Sequence, residues 1–232
     1  IAAVAWMFLA DRPADKGLAP LGSEGCPAPV AAAGAPAASQ TALYANRSVL
    51  LLGGIYFLFG YTYVIYATFI VTALVKERGF SEALAGTFWS WVGFLSLFSG
   101  PVFGTLSDRI GRKAGLMIVF GLQMLAYAMV AASLPPLFLY LSIGFFGVCA
   151  WSIPSIMVAA VSEYVGPERA LAAFGLITFI FGIGQITGPS IAGMLAERSG
   201  SFASSFAMAS AFTGLAIALT AFLRKPRHDG DR

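Results

Sequence analysis

The sequence predicts an all-α polytopic membrane protein, with six transmembrane helices arranged as two inverted three-helix repeats. Three observations carry this. Of the 232 residues, 58% are hydrophobic and only 11% are charged, against about 25% charged in a soluble domain. Six runs, Val49–Val75, Leu84–Leu106, Ala114–Ser133, Leu137–Val161, Ala170–Ala196 and Phe202–Leu223, contain no Asp, Glu, Lys, Arg or His. A motif that follows the second run recurs after the fifth. Each run has the roughly 20 residues a helix needs to cross about 30 Å of hydrocarbon. None shows the in/out alternation of a membrane β-strand. Lipid offers no hydrogen-bond partner, so each run must satisfy its own backbone, and a helix does so.

Taken in order, residues 1–10 ("IAAVAWMFLA") are too short to span and have no basic stretch before them, so they read as the tail of a truncated transmembrane helix. Residues 11–48 read as a flexible linker, rich in Ala, Pro and Gly without an apolar period. Residues 49–223 form the six-helix unit, and 224–232 a polar tail. Ser81 with Glu82 supplies N-capping chemistry ahead of the second span. Pro135 and Pro136 separate the third span from the fourth. The connections are short and leave no room for an extramembrane catalytic domain. Cys26 falls in the linker and Cys149 in a span, so neither a disulfide nor a metal site is expected.

The repeat is specific. Gly104-x-Leu106-x-Asp108-Arg109-x-Gly111 recurs as Gly193-x-Leu195-x-Glu197-Arg198-x-Gly200, 89 residues later, and a Gly-Pro pair precedes each copy. Three spans separate the copies, so the two loops lie on opposite sides of the membrane. Lys and Arg set the orientation. With the first loop cytoplasmic, that side holds Arg12, Lys16, Arg47, Arg109, Arg112, Lys113, Arg169, Arg224, Lys225, Arg227 and Arg232. The opposite side holds only Lys76, Arg78 and Arg198, a clear positive-inside bias. The net charge of +3 therefore reads as topology-setting, and no nucleic-acid partner is expected.

The stretch "GTLSDRIGRK", Gly104 to Lys113, resembles the signature loop of the major facilitator superfamily of membrane transporters. "FGIGQITGPSIAG", Phe181–Gly193, is similar to a glycine-proline motif that antiporters of that superfamily carry on the equivalent helix. With "YTYVIYATFI" and "FWSWVG", the chain looks like a bacterial branch often described as sugar or drug exporters. The resemblance implies half of a twelve-helix carrier fold, the C-terminal half, in the cell inner membrane with linker and C-terminus cytoplasmic. It implies gating by the signature loop through Gly104, Asp108, Arg109, Gly111, Arg112 and Lys113. It also implies a missing N-terminal six-helix half as partner, alongside the lipid bilayer and a small-molecule substrate.

The residues themselves suggest where chemistry sits. Asp108 is an acidic group inside a basic loop, where it serves no topological purpose; it can pair with Arg109, Arg112 or Lys113, and the resemblance implies that it meets Arg169 or the missing half. Glu163 is expected to cap its helix or pair with Arg169. Gly184, Gly188, Pro189 and Gly193 give the fifth span a small packing face and a bend. Gln185 is a costly amide within a span and needs a partner or a wet cavity. Tyr56, Phe59, Tyr63 and Tyr66 share one face of the first span at spacings of three and four. Tyr56, Tyr63, Tyr66, Trp151 and Gln185 are therefore the candidate lining of a substrate cavity, with interhelical packing the alternative for the tyrosines.

No span contains a titratable carboxylate, histidine or lysine, so no cofactor is expected and any proton coupling would run through residues outside this chain. The same lack leaves an intramembrane hydrolase without a base. The expected function is secondary transport by alternating access, exporting a small molecule such as a sugar or hydrophobic drug. A non-transporting six-span scaffold or receptor and a self-assembling half-size carrier remain as alternatives.

Overall fold

A computed structural model describes residues 46–132 and 134–223. The helix tail at 1–10, the linker to residue 45 and the polar tail lie outside the described residues. The chain folds into α1 (Arg47–Lys76), α2 (Glu82–Ile110), α3 (Arg112–Ala131), α4 (Pro136–Cys149), α5 (Ser152–Val165), α6 (Pro167–Ser199) and α7 (Ala203–Ala221). α4 and α5 together make one membrane span, Pro136–Val165, interrupted at Ala150–Trp151. This span, α1, α3, α6 and α7 are long and apolar enough to cross a membrane. α2 has 29 residues, ample length, but four glycines and six Ser or Thr dilute its apolarity. It completes the six spans by length and packing.

Local chemistry explains the ends. Asn46 caps α1 by accepting the Ser48 N–H at 2.9 Å, which starts the helix two residues before the apolar run. Ser81 caps α2 through the Leu84 N–H, 3.3 Å away, as its sequence predicts. Gly111 has φ +92°, a region closed to most L-residues. It lets α2 turn straight into α3 with no loop between them. Pro136 and Pro167 occupy first helical turns, where a missing N–H costs nothing.

Glycines hold the centre. The most extensive helix pair is α1 with α6. A Cβ on Gly60 would stand 2.5 Å from the Phe181 carbonyl oxygen, and one on Gly184 would be 2.9 Å from the Tyr61 nitrogen. A Cβ on Gly188 would land on the Tyr61 carbonyl. Backbone meets backbone here, which only glycine permits. Gly147 of α4 plays the same part against α2, where a Cβ would be 3.1 Å from Val92 Cα.

The inverted repeat is visible in this packing. Exchanging α1 with α4–α5, α2 with α6, and α3 with α7 maps the main helix pairs onto one another. Thus α1 on α6 corresponds to α4 and α5 on α2, α1 on α7 corresponds to α4 and α5 on α3, and α3 on α7 maps to itself. Two apolar clusters fill the bundle. One contains Val49, Leu116, Phe120, Val161 and Leu223 near the signature-loop end. The other contains Leu74, Ala85, Val130, Leu139 and Phe206 toward the opposite end.

α2 and α6 bury the narrowest stripes. On α6 the buried side is Ala173, Ile177, Gly184, Gly188, Ala192 and Ala196, while Leu171, Phe179 and Ile186 are exposed. On α2, Trp91, Phe94, Leu97 and Phe98 are exposed.

The glycine contact has a measurable consequence. Gly188→Ala should destabilise the bundle by about 1–3 kcal/mol, the usual cost of overpacking a fixed contact. Gly175→Ala, where an added Cβ meets nothing within 4 Å, should leave the thermal midpoint in detergent unchanged or raised.

Candidate functional site

At one end of the bundle the signature loop converges on Arg112. The α2–α3 turn at Gly111 swings the guanidinium back over α2, where it pairs with Asp108 and donates to Ser107 Oγ at 2.8 Å. Its Nε reaches Glu163 Oε1 on α5 at 2.8 Å. Among the described residues these are the only two ion pairs, and both belong to Arg112. Lys113 extends the other way and donates to the carbonyls of Ala221 and, at 3.3 Å, Leu223. That caps the C-terminus of α7, whose carbonyls lack helical donors and carry partial negative charge. The loop is thus a knot joining α2, α3, α5 and α7. Gly104 lies inside α2 with open space around it, and Arg109 is exposed.

Glu163 corrects an expectation. It was expected to cap its helix or pair with Arg169, yet its partner is Arg112. Gly111 aims Arg112 at the end of α5, a geometry that sequence separation does not show.

The opposite end is tied by different chemistry. Glu77, just beyond α1, accepts the Phe202 N–H at 2.6 Å and the Ser201 hydroxyl at 3.1 Å, neutralising the N-terminus of α7. Arg78 donates to the carbonyls of Ala132 (2.8 Å) and Val130 (3.2 Å), capping α3. Glu77 and Glu163 occupy equivalent places in the two repeats. Each lies at the end of the first span of its repeat, just past the charge-free run, and reaches the start of the other repeat's third span. The sequence signal was available in the acid after each first span, but only the fold shows the shared role.

The mid-height candidates divide. Tyr66 is fully buried, its hydroxyl 2.9 Å from Ser142 Oγ and its ring 4.1 Å from Phe146. Tyr56 is 3% exposed and stacks on Phe181 at 4.5 Å and Phe59 at 5.9 Å. Neither lines an open surface, because α1 is wrapped by α5, α6 and α7 and most of its circumference is interior. Tyr63 differs: it is half-buried, stacks on Phe59 at 5.3 Å and meets Trp151 edge-on at 4.9 Å. Trp151 stands at the α4–α5 interruption and is 41% exposed.

Gln185 completes this group. It follows Phe181 by one turn on α6, as Tyr63 follows Phe59 by one turn on α1. Phe181 and Phe59 stack at 5.6 Å, so the two helices bring Gln185 and Tyr63 to a similar level on one side. The Gln185 side chain is half-buried and bonds to no described residue. Pro189 lacks an N–H, so the Gln185 carbonyl also loses its helical donor. Pro154 does the same for the Ala150 carbonyl beside Trp151. Aromatic faces and unpaired neutral polar groups thus meet at the middle of the bundle. Such a surface can stack on a ring and hydrogen-bond its substituents. Gly184 and Gly188 face α1, a Cβ on Gly193 would stand 3.7 Å from the Phe69 ring, and α6 runs through Pro189 to Ser199.

Among the described residues, seven helices forming six spans, an inverted internal repeat and a cation-rich loop closing one end define a bundle of the secondary-transporter type. The chain matches, over residues 21–222, the family described as "Uncharacterised MFS-type transporter YbfB", and it belongs to this family of MFS-type membrane transporters. Relatives include human Solute carrier family 67 member A1, 29% identical over 56% of this chain and 32% of the relative. The class C Tetracycline resistance protein of Escherichia coli is 26% identical over 70% of this chain and 41% of the relative. The chain therefore spans about a third to two fifths of these relatives' length. A crystal structure of the peptide transporter POT (E310Q mutant) with sulfate has the same fold, with TM-score 0.67 and 20% identity over 75% of this chain and 37% of that one. The relatives are transporters rather than enzymes, and the chain is a multi-pass membrane protein.

The knot around Arg112 predicts a mutational order. Arg112→Gln should cost about 1 kcal/mol or somewhat more, since the pairs are partly exposed. Arg112→Lys should recover little, because an ammonium lacks the planar fork that serves Asp108, Glu163 and Ser107 together. Asp108→Asn should cost least, its carboxylate being 59% exposed. Thermal unfolding in detergent at low and high salt reads all three.

Proposed function

We propose that this chain forms one six-helix bundle of a secondary transporter that works by alternating access. It would act opposite a second six-helix bundle, with substrate held at mid-height against Tyr63, Trp151 and Gln185. The observation that carries this reading is the unpaired polar and aromatic group at the α4–α5 interruption, flanked by the broad unburied faces of α2 and α6. Gly86, Gly93 and Gly104 of α2 and Gly175 and Gly182 of α6 have open space where a side chain would be. These positions suit close approach by a facing helix. The partial coverage of full-length relatives agrees with such an arrangement.

The substrate class we favour is a small neutral or weakly polar ring-bearing molecule, such as a sugar or a hydrophobic drug, moved outward. The lining is aromatic and uncharged, and one relative is a tetracycline resistance protein. We place the signature-loop end on the cytoplasmic side of an inner membrane, because Arg47, Arg109, Arg112, Lys113 and Arg169 gather there. Asp108 and Arg109, both exposed, are then the groups available to a facing bundle, while Arg112 and Lys113 hold the loop in place.

Thermal-shift screening of the protein against tetracyclines, other hydrophobic drugs and sugars tests the site. A ligand of the proposed class should raise the thermal midpoint, and Trp151→Ala or Gln185→Ala should remove that rise. Phe179→Ala, at an exposed position on α6, should keep it. Substrate-specific uptake by the monomeric chain alone in liposomes would contradict the two-bundle reading.

A further inference from the structure

Four buried side-chain polar atoms lack a hydrogen-bond partner among the described residues, and three of them lie one helical turn apart on α3. They are both amide atoms of Gln123 and the hydroxyl of Tyr127. Both residues are fully buried. Side chains on a helix lean toward its N-terminus, so the Tyr127 hydroxyl extends over the turn that carries Gln123. Around Tyr127 stand Thr62, Tyr63 and Tyr66 of α1 and Cys149, the last residue of α4.

The protons of Thr62, Tyr66 and Cys149 are already committed. Thr62 donates to the Leu58 carbonyl at 2.9 Å, although its oxygen lies beside Tyr127. Ser142 donates to the Ala126 carbonyl at 2.8 Å, so Tyr66 donates to Ser142. Cys149 donates to the Phe145 carbonyl at 2.8 Å. The Tyr127 O–H can serve one acceptor at most, Thr62 Oγ1 or the Gln123 carbonyl, the Gln123 N–H groups meet no acceptor, and none of these neighbours is an acid or a base. An ion there would have no counter-charge. The missing partner must be small, neutral, and able both to donate and to accept.

We propose that Gln123 and Tyr127, with Thr62 completing the polar wall, hold ordered water in a closed chamber at the centre of the bundle. Buried water commonly satisfies polar groups of this kind, making about three hydrogen bonds. The chamber lies where the two apolar clusters meet. Phe120 and Cys149 belong to one cluster, Tyr127 and Phe146 to the other. It sits behind the wall that bears Tyr63 and beside the α4–α5 interruption. Water there gives the joint a polar, replaceable set of hydrogen bonds in an otherwise apolar interior. The site does not depend on the transport reading.

Pulsed hydroxyl-radical labelling by X-ray radiolysis, read by mass spectrometry on the purified protein, tests this, because radicals form at bound water inside a protein. Tyr127 should be modified several-fold faster than Phe206, which is equally buried among apolar side chains. Gln123→Leu should bring Tyr127 down to the level of Phe206 and lower the thermal midpoint, since the water loses its main anchor. Tyr127 as unreactive as Phe206 in the wild-type protein would overturn the proposal. So would a raised midpoint in Gln123→Leu, which is what relief of a dry, unpaired amide would produce. A midpoint that rises in sodium chloride but not in choline chloride would replace water with a cation and also overturn it. Should Gln123→Leu fail to fold, the wild-type labelling ratio decides alone.

Discussion

Backbone contact between α1 and α6 is the constraint on which the other features of the bundle depend. In lipid there is no hydrophobic gain from helix association, so close packing must supply it. Gly60, Gly184 and Gly188 let the two helices approach until carbonyl oxygens occupy the space a side chain would need. That approach sets the depth at which Phe181 stacks against both Tyr56 and Phe59. It also sets the level of Gln185, one turn further along. The mid-height group is thus a consequence of glycine placement as much as of its own residues.

The two ends show the same architecture solved with different chemistry. At the signature-loop end an arginine binds two carboxylates and a lysine caps α7. At the opposite end a glutamate caps α7 and an arginine caps α3. Each cation at a C-terminus and each anion at an N-terminus offsets the partial charge of unsatisfied backbone groups. The loop charges that set topology are therefore structural as well. Arg112 and Lys113 are thereby engaged by the bundle, Lys113 from an exposed position, while Arg109 is exposed and bonds to no described residue.

Much of the fold was legible because membrane spans announce themselves. Charge-free runs of sufficient length located all the spans, and Asn46 moved the first boundary by only two residues. The repeat of the Gly104–Gly111 motif at Gly193–Gly200 pointed to an inverted relation that the packing now displays. The interruption at Ala150–Trp151 was not foreseen, since an uncharged run reads as one helix whether or not it breaks. Pro154 was the available sign. The tyrosine stripe divides for a related reason. Helical spacing shows that Tyr56, Tyr63 and Tyr66 share a face, but which face meets neighbours depends on the arrangement of six helices. Gln123 lies within the third charge-free run, and the structure buries it without a partner among the described residues. Sequence shows that an amide is in the membrane and not what surrounds it.

The claim under all of this is that two three-helix repeats cross the membrane in opposite senses. Single cysteines at positions 109 and 198, in a chain carrying Cys26→Ser, test it directly with a membrane-impermeant maleimide on vesicles of known sidedness. Cys149 is buried and should stay silent. The inverted repeat requires Arg109→Cys to react from one face only and Arg198→Cys from the other face only. Reaction of both from the same face would contradict the topology, and with it the relation between the two ends described above.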